Sequence, residues 1–156
     1  MAKPKQLTMA IDPGVNGGIA WTDESGKTYC VSMPDGDFGI VEKISSICSN
    51  YSERKLFLEK PPLFTNKHIP GYSVGKMMHN YGLCLGSAVA FGMTVKIVTP
   101  QAWQKTHDVG KKGERTTTEW KNVLKDKACD LYPDCPVTLK TSDALLILHA
   151  GINGKI

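Results

Sequence analysis

Long apolar runs are missing from the chain. Nothing approaches the roughly 18 consecutive apolar residues of a membrane span, and no basic stub leads into a short apolar stretch with a small-residue cleavage site. These absences predict a cytoplasmic protein with no membrane partner. Paired thiols are missing too. The cysteines number five and none forms a CxxC pair, while the four histidines stand singly, so neither a disulfide framework nor a structural zinc site is expected. Internal repeats, low-complexity tracts and linkers are also absent. With 156 residues, 41% of them hydrophobic, the chain has material for one core, and a single domain over 1–156 is expected. Net charge is a modest +4, which permits a polyanionic partner without requiring one.

Residues 6 to 12 (QLTMAID) read as a strand, 18 to 23 as a second and 27 to 33 as a third, with Glu24-Ser25-Gly26-Lys27 as the hairpin turn. Tight connections make these three an antiparallel meander. Apolar residues at 40, 41, 44 and 47 predict a helix over 38–50, and KLFLE at 55–59 returns as a strand parallel to an earlier one. A glycine-containing helix over 73–91 follows, its small residues suited to close packing against the sheet or another subunit. Residues 95–98 form a fifth strand, stopped by Thr99-Pro100. The polar stretch 105–116 reads as an exposed loop, 117–131 as a helix, and 142–150 as the last helix, capped by Ser142 or Thr141. The fold class is α/β: a mixed five-stranded sheet, three strands antiparallel and two parallel, flanked by helices.

In that order, Asp12 ends the first strand, Glu59 ends the fourth and Asp143 opens the last helix. Parallel neighbours end at one sheet edge, and the first turn of a helix can reach it. Three carboxylates at one spot raise each other's pKa unless cations sit among them. Oxygen donors without thiolate or imidazole favour Mg²⁺, with Mn²⁺ as substitute, over zinc. Gly14, Gly17 and Gly18 are expected to keep the adjoining loop low, so that a phosphate can come close.

The segments IDPGVNGGIAW (11–21), FLEKPP (57–62), VTPQAWQK (98–105) and SDALLILHAG (142–151) resemble the four signature blocks of RuvC-type Holliday junction resolvases. They look most like the phage and organellar branch of that RNase H-like superfamily. The resemblance implies an RNase H-like fold and a homodimeric, metal-dependent endonuclease. Such an enzyme resolves four-way DNA junctions by paired nicks, with two ions per active site, and leaves 5′-phosphate and 3′-hydroxyl ends. Asp12, Glu59 and Asp143 fall on the family's catalytic, metal-binding positions. Lys140 stands where the family usually carries a fourth ligand, so water or a DNA phosphate fills that place, or the lysine contacts a phosphate itself.

DNA bound beside acids needs cations. Lys60, Lys67, His68 and Lys76 follow the second acid, and Lys105, Lys111, Lys112 and Arg115 form a second basic group. Phe64, His68 and Tyr72 are candidates for stacking on splayed bases. Trp103 reads as core packing, and His107 and His149 as structural or surface residues. Three other readings stay open: an RNase H-type nuclease on RNA–DNA hybrid or other branched DNA, a non-catalytic junction-binding protein, and an actin-like ATP-binding fold, for which the chain is short.

Overall fold

The computed structural model describes residues 4–62 and 70–156. Five strands form one mixed sheet in the order β3-β2-β1-β4-β5: β1 (Gln6–Asp12), β2 (Gly18–Thr22), β3 (Thr28–Ser32), β4 (Glu53–Glu59) and β5 (Thr94–Val98). β1 to β3 are antiparallel, whereas β4 lies parallel to β1 and β5 parallel to β4. The hairpin between β2 and β3 is closed by Asp23, whose Oδ1 accepts from the backbone of Ser25 and Lys27, and Gly26 takes a positive φ of 85°.

Strand period sorts the core onto the two faces of the sheet. Leu7, Met9, Ile11, Leu56 and Leu58 are buried against α1 (Gly36–Cys48) and α2 (Gly71–Ala90), with Ile40, Ile44, Cys84 and Ala88. Ala10 and Phe57 point the other way. There they meet α3 (Pro100–Gln104), α4 (Thr117–Leu131) and α5 (Ser142–Ile152) through Trp103, Trp120, Leu124 and the run Ala144–Leu148. α5 packs against β1, β2 and β4. Its all-round apolar sequence suits a helix lying across the middle of a sheet, where burying each leucine or isoleucine contributes about 1.5–3 kcal/mol.

Three expectations are revised. The segment after Thr99-Pro100 is not only a stop: it begins α3, with Thr99 as cap and Pro100 in the first turn, and a 3-10 turn follows at Lys105–His107. Thr141 stands at the start of α5 but does not cap it, because its Oγ1 accepts from the Thr138 N–H at 2.9 Å instead. In α2, side chains added at Gly75, Gly82 and Gly86 would meet nothing within 4 Å, so these glycines do not serve close packing against the sheet. The five cysteines are free thiols. Among the described residues, no helix is long and apolar enough to cross a membrane.

Candidate active site

Parallel pairing sets Ile11 opposite Leu58, so Asp12 and Glu59 leave the sheet at the same edge. α5 begins at that edge with Asp143 in its first turn. All three acids line one cavity of about 470 Å³, together with Gly14, Val15, Asn16, Gly17, Tyr72, Ser73, Lys76, Met77 and Lys121.

Each acid is held differently. Asp12 Oδ1 accepts the Gly14 N–H at 3.1 Å. The turn that makes this possible needs glycine at 17, where an added Cβ would sit 2.2 Å from the Asp12 carbonyl oxygen. At Gly18 a Cβ would lie 2.7 Å from Val31 O and 2.8 Å from Lys140 O. These two glycines let the chain approach itself, which narrows the expectation that they make room for a phosphate. Glu59 Oε2 accepts from the indole Nε1–H of Trp103 at 2.5 Å. Asp143 has a long contact, 3.5 Å, from the Ser142 hydroxyl.

Burial is the main reason all three carboxyls hold their protons above the ordinary range, with mutual repulsion adding to it for Glu59 and Asp143. Asp143 is pushed up to about 7 by burial and by Asp12, while Lys121 and Ser142 pull it down. Glu59 is raised well above 4.5 by burial, then by Asp12 and Asp143, against the Trp103 bond and Lys121. Burial raises Asp12 as well, opposed by the Gly14 N–H and Lys121. A hard divalent cation would relieve this cost, and an all-oxygen donor set suits Mg²⁺ or Mn²⁺. The set is open: among the described residues, no group of three His, Cys, Asp or Glu side chains is arranged to hold an ion by itself. Magnesium normally keeps several waters, so carboxylates that offer only part of a coordination shell fit it.

Lys121 is the residue that sequence reasoning missed. It sits on α4 beside buried Trp120, half-buried at the edge of the Trp120, Leu124, Ala128 stripe, and lines the acid cavity. Of the basic and aromatic candidates, Lys76 and Tyr72 line it too, with the Lys76 ammonium 5.5 Å from the Tyr72 ring centre. Lys60 is half-buried outside it, its N–H tied to Val98 O at 2.8 Å. Lys105, Lys111, Lys112, Arg115 and Lys140 are exposed and do not line it. Lys112 reaches Thr117 Oγ1 at 3.1 Å, and Arg115 reaches Lys111 O at 2.8 Å. Phe64, Lys67 and His68 lie outside the described residues.

No family model matches the chain, and no curated protein matches it. Among solved structures, RuvC of T. thermophilus in complex with a Holliday junction substrate is similar with a TM-score of 0.56 at 14% identity, over 96% of this chain and 97% of that one. A Thermus thermophilus RuvC structure is similar with a TM-score of 0.52 at 17% identity, over the same shares. Identity this low carries architecture and leaves activity to be argued from the site. With its 3-2-1-4-5 mixed sheet and flanking helices, the chain has the RNase H-like fold that RuvC has.

Proposed function

We propose that the protein is a metal-dependent endodeoxyribonuclease that resolves four-way DNA junctions, a resolvase of the phage and organellar kind acting in the cytoplasm. One observation carries the reading: in an RNase H-like fold, carboxylates from β1, β4 and α5 line a single cavity at the sheet edge, with two lysines beside them. Asp12, Glu59 and Asp143 would hold magnesium or manganese, two ions per site. Such ions would supply the Lewis-acid chemistry that activates water and leaves 5′-phosphate and 3′-hydroxyl ends. Lys76 and Lys121 draw the phosphate backbone toward the acids, and the ring of Tyr72 offers a stacking face at the rim. Lys60, Lys105, Lys111, Lys112, Arg115 and Lys140 contact backbone further from the cavity; from sequence alone, Lys67 and His68 are assigned to backbone and Phe64 to stacking at the junction core. Paired nicks need two sites, and the open glycine face of α2, with exposed Met78 and Val89, supports an isologous dimer.

A second reading, junction binding without cutting, is favoured by the open donor set and by Lys140 at the fourth-ligand position. One experiment separates them. Labelled four-way junction, duplex, flap and RNA–DNA hybrid are each incubated with Mg²⁺, Mn²⁺ or EDTA, with Asp12→Asn alongside. Paired symmetric nicks in the junction, lost with EDTA and in the variant, are expected. Cutting of hybrid alone would make the protein an RNase H-type enzyme, and binding without cutting would remove the nuclease assignment.

A further inference from the structure

We propose that Trp103 is a positioning residue that fixes the direction of the Glu59 carboxylate, and that the segment carrying it braces β4 against α5; this rests on the metal-binding reading of the acid cavity. β5 ends at Val98, directly opposite Glu59 in the parallel register. Thr99 and Pro100 turn the chain at once into α3, with Thr99 Oγ1 accepting the Ala102 N–H at 3.3 Å and proline in the first turn, where its missing donor costs nothing. Trp103 is thereby carried back over the end of β4. It is fully buried, and its indole N–H donates to Glu59 Oε2.

An indole has one donor and no acceptor, so a buried tryptophan must find an acceptor for it. Here the acceptor is one of the three acids that line the cavity. The bond occupies Oε2, and no hydrogen bond to Oε1 appears among the described residues, so that oxygen would be available to an ion; ligating carboxylates are commonly held by such a hydrogen bond. Trp120, in the same core cluster, shows no bond to an acid among the described residues.

The far end of the segment is tied as well. The Thr106 hydroxyl donates to Trp103 O at 2.7 Å, and the ring of His107 packs edge-on to the indole with centroids 6.2 Å apart. His107 Nε2–H then donates to Leu146 O at 2.9 Å, three residues beyond Asp143 on α5. Thr99 to His107 therefore links the end of β4, through Trp103 and Glu59, to the helix that opens with Asp143, through His107 and Leu146 O. That span bears on the distance between two metal ligands.

The test uses the whole protein, with metal binding read in the absence of DNA. Trp103→Phe is expected to weaken Mn²⁺ binding by about 10–100-fold, read from the electron paramagnetic resonance of free Mn²⁺. Junction affinity in EDTA should stay within about twofold, since the change acts on the metal step. Trp120→Phe removes an indole from the same core and should leave Mn²⁺ binding unchanged. In the metal-free wild type, the Trp103 indole proton, assigned by NMR, should move upfield in Glu59→Gln, a readout that stands even if Trp103→Phe folds poorly. Equal Mn²⁺ affinity in Trp103→Phe, or an indole proton indifferent to Glu59→Gln, overturns the proposal. Wild type that binds no Mn²⁺ while the indole still responds to Glu59→Gln sinks the metal reading itself, and the hydrogen bond is then a core contact only.

Discussion

α5 carries a member of two opposite kinds of crowd. At its start Asp143 joins Asp12 and Glu59 in a cavity open to solution. Six residues later His149 faces His107, ring centroids 5.6 Å apart, in an aromatic nest closed by Tyr132. Both groups are like titratable side chains pressed together and taken out of water. The imidazoles solve the problem by staying neutral: burial pushes His107 down to about 4 and lowers His149 as well. The acids escape only in part near neutral pH, with Asp143 giving up its proton at about 7. With half-buried Lys121 as the one cation among the described residues that pulls all three down, their cost waits on something from outside. Like-charge crowding left unrelieved and open is what the proposed active site calls for, whereas crowding relieved internally needs no ligand.

Asp143→Asn sharpens the contrast most. Junction cutting should fall on the order of 10³-fold or more, the scale of removing one electrostatic contact from a catalytic site. The metal-free protein should at the same time gain resistance to urea at pH 8, because a buried charge has become a neutral amide. A lower urea midpoint for the variant would mean that the carboxylate belongs to the fold and would erase the distinction. His107→Ala should do the reverse. It removes a buried ring and strands Leu146 O, a loss of about 2–4 kcal/mol in urea unfolding, with cutting per folded molecule reduced far less than in Asp143→Asn. Unchanged stability with lost cutting would put the imidazoles in the site.

The sheet was legible because its central strands are short apolar runs, Met9-Ala10-Ile11 and Leu56-Phe57-Leu58, bounded by polar residues and turns, the pattern of strands covered on both faces. The bounds of α4 were legible for a different reason: Thr116 and Glu119 form a complete capping box, and Tyr132-Pro133 ends the helix. α3 was hidden because Thr-Pro is both a strand stop and a helix start. Lys121 was hidden because a lysine at the edge of an apolar stripe looks the same in sequence whether it meets water or a cavity. Trp103 read as core and is core, but the destination of its one N–H depends on how β5 turns at Thr99, a tertiary fact with no local signal.

The smallest effect is the one in which the two crowds pull against each other. Asp143 titrates at about 7 when folded, against 3.8 as its ordinary value, so the folded state binds that proton more tightly and stability falls as pH rises through this window. Glu59, raised well above 4.5, adds to the same slope. His107 titrates at about 4 when folded against 6.5 ordinarily, so its contribution rises with pH between those values and is complete above them. Between about pH 4 and 6.5 the imidazole offsets part of the acids' slope, so metal-free stability should decline more gently there than above 6.5. Above 6.5 only the acids remain. The urea midpoint should then decline toward pH 7.5, by no more than about 1.4 kcal/mol per pH unit for each acid. Millimolar Mg²⁺ should abolish that decline, because an ion among the carboxylates takes the place of their protons. A decline that Mg²⁺ leaves untouched would mean that the acids crowd one another for reasons of the fold alone.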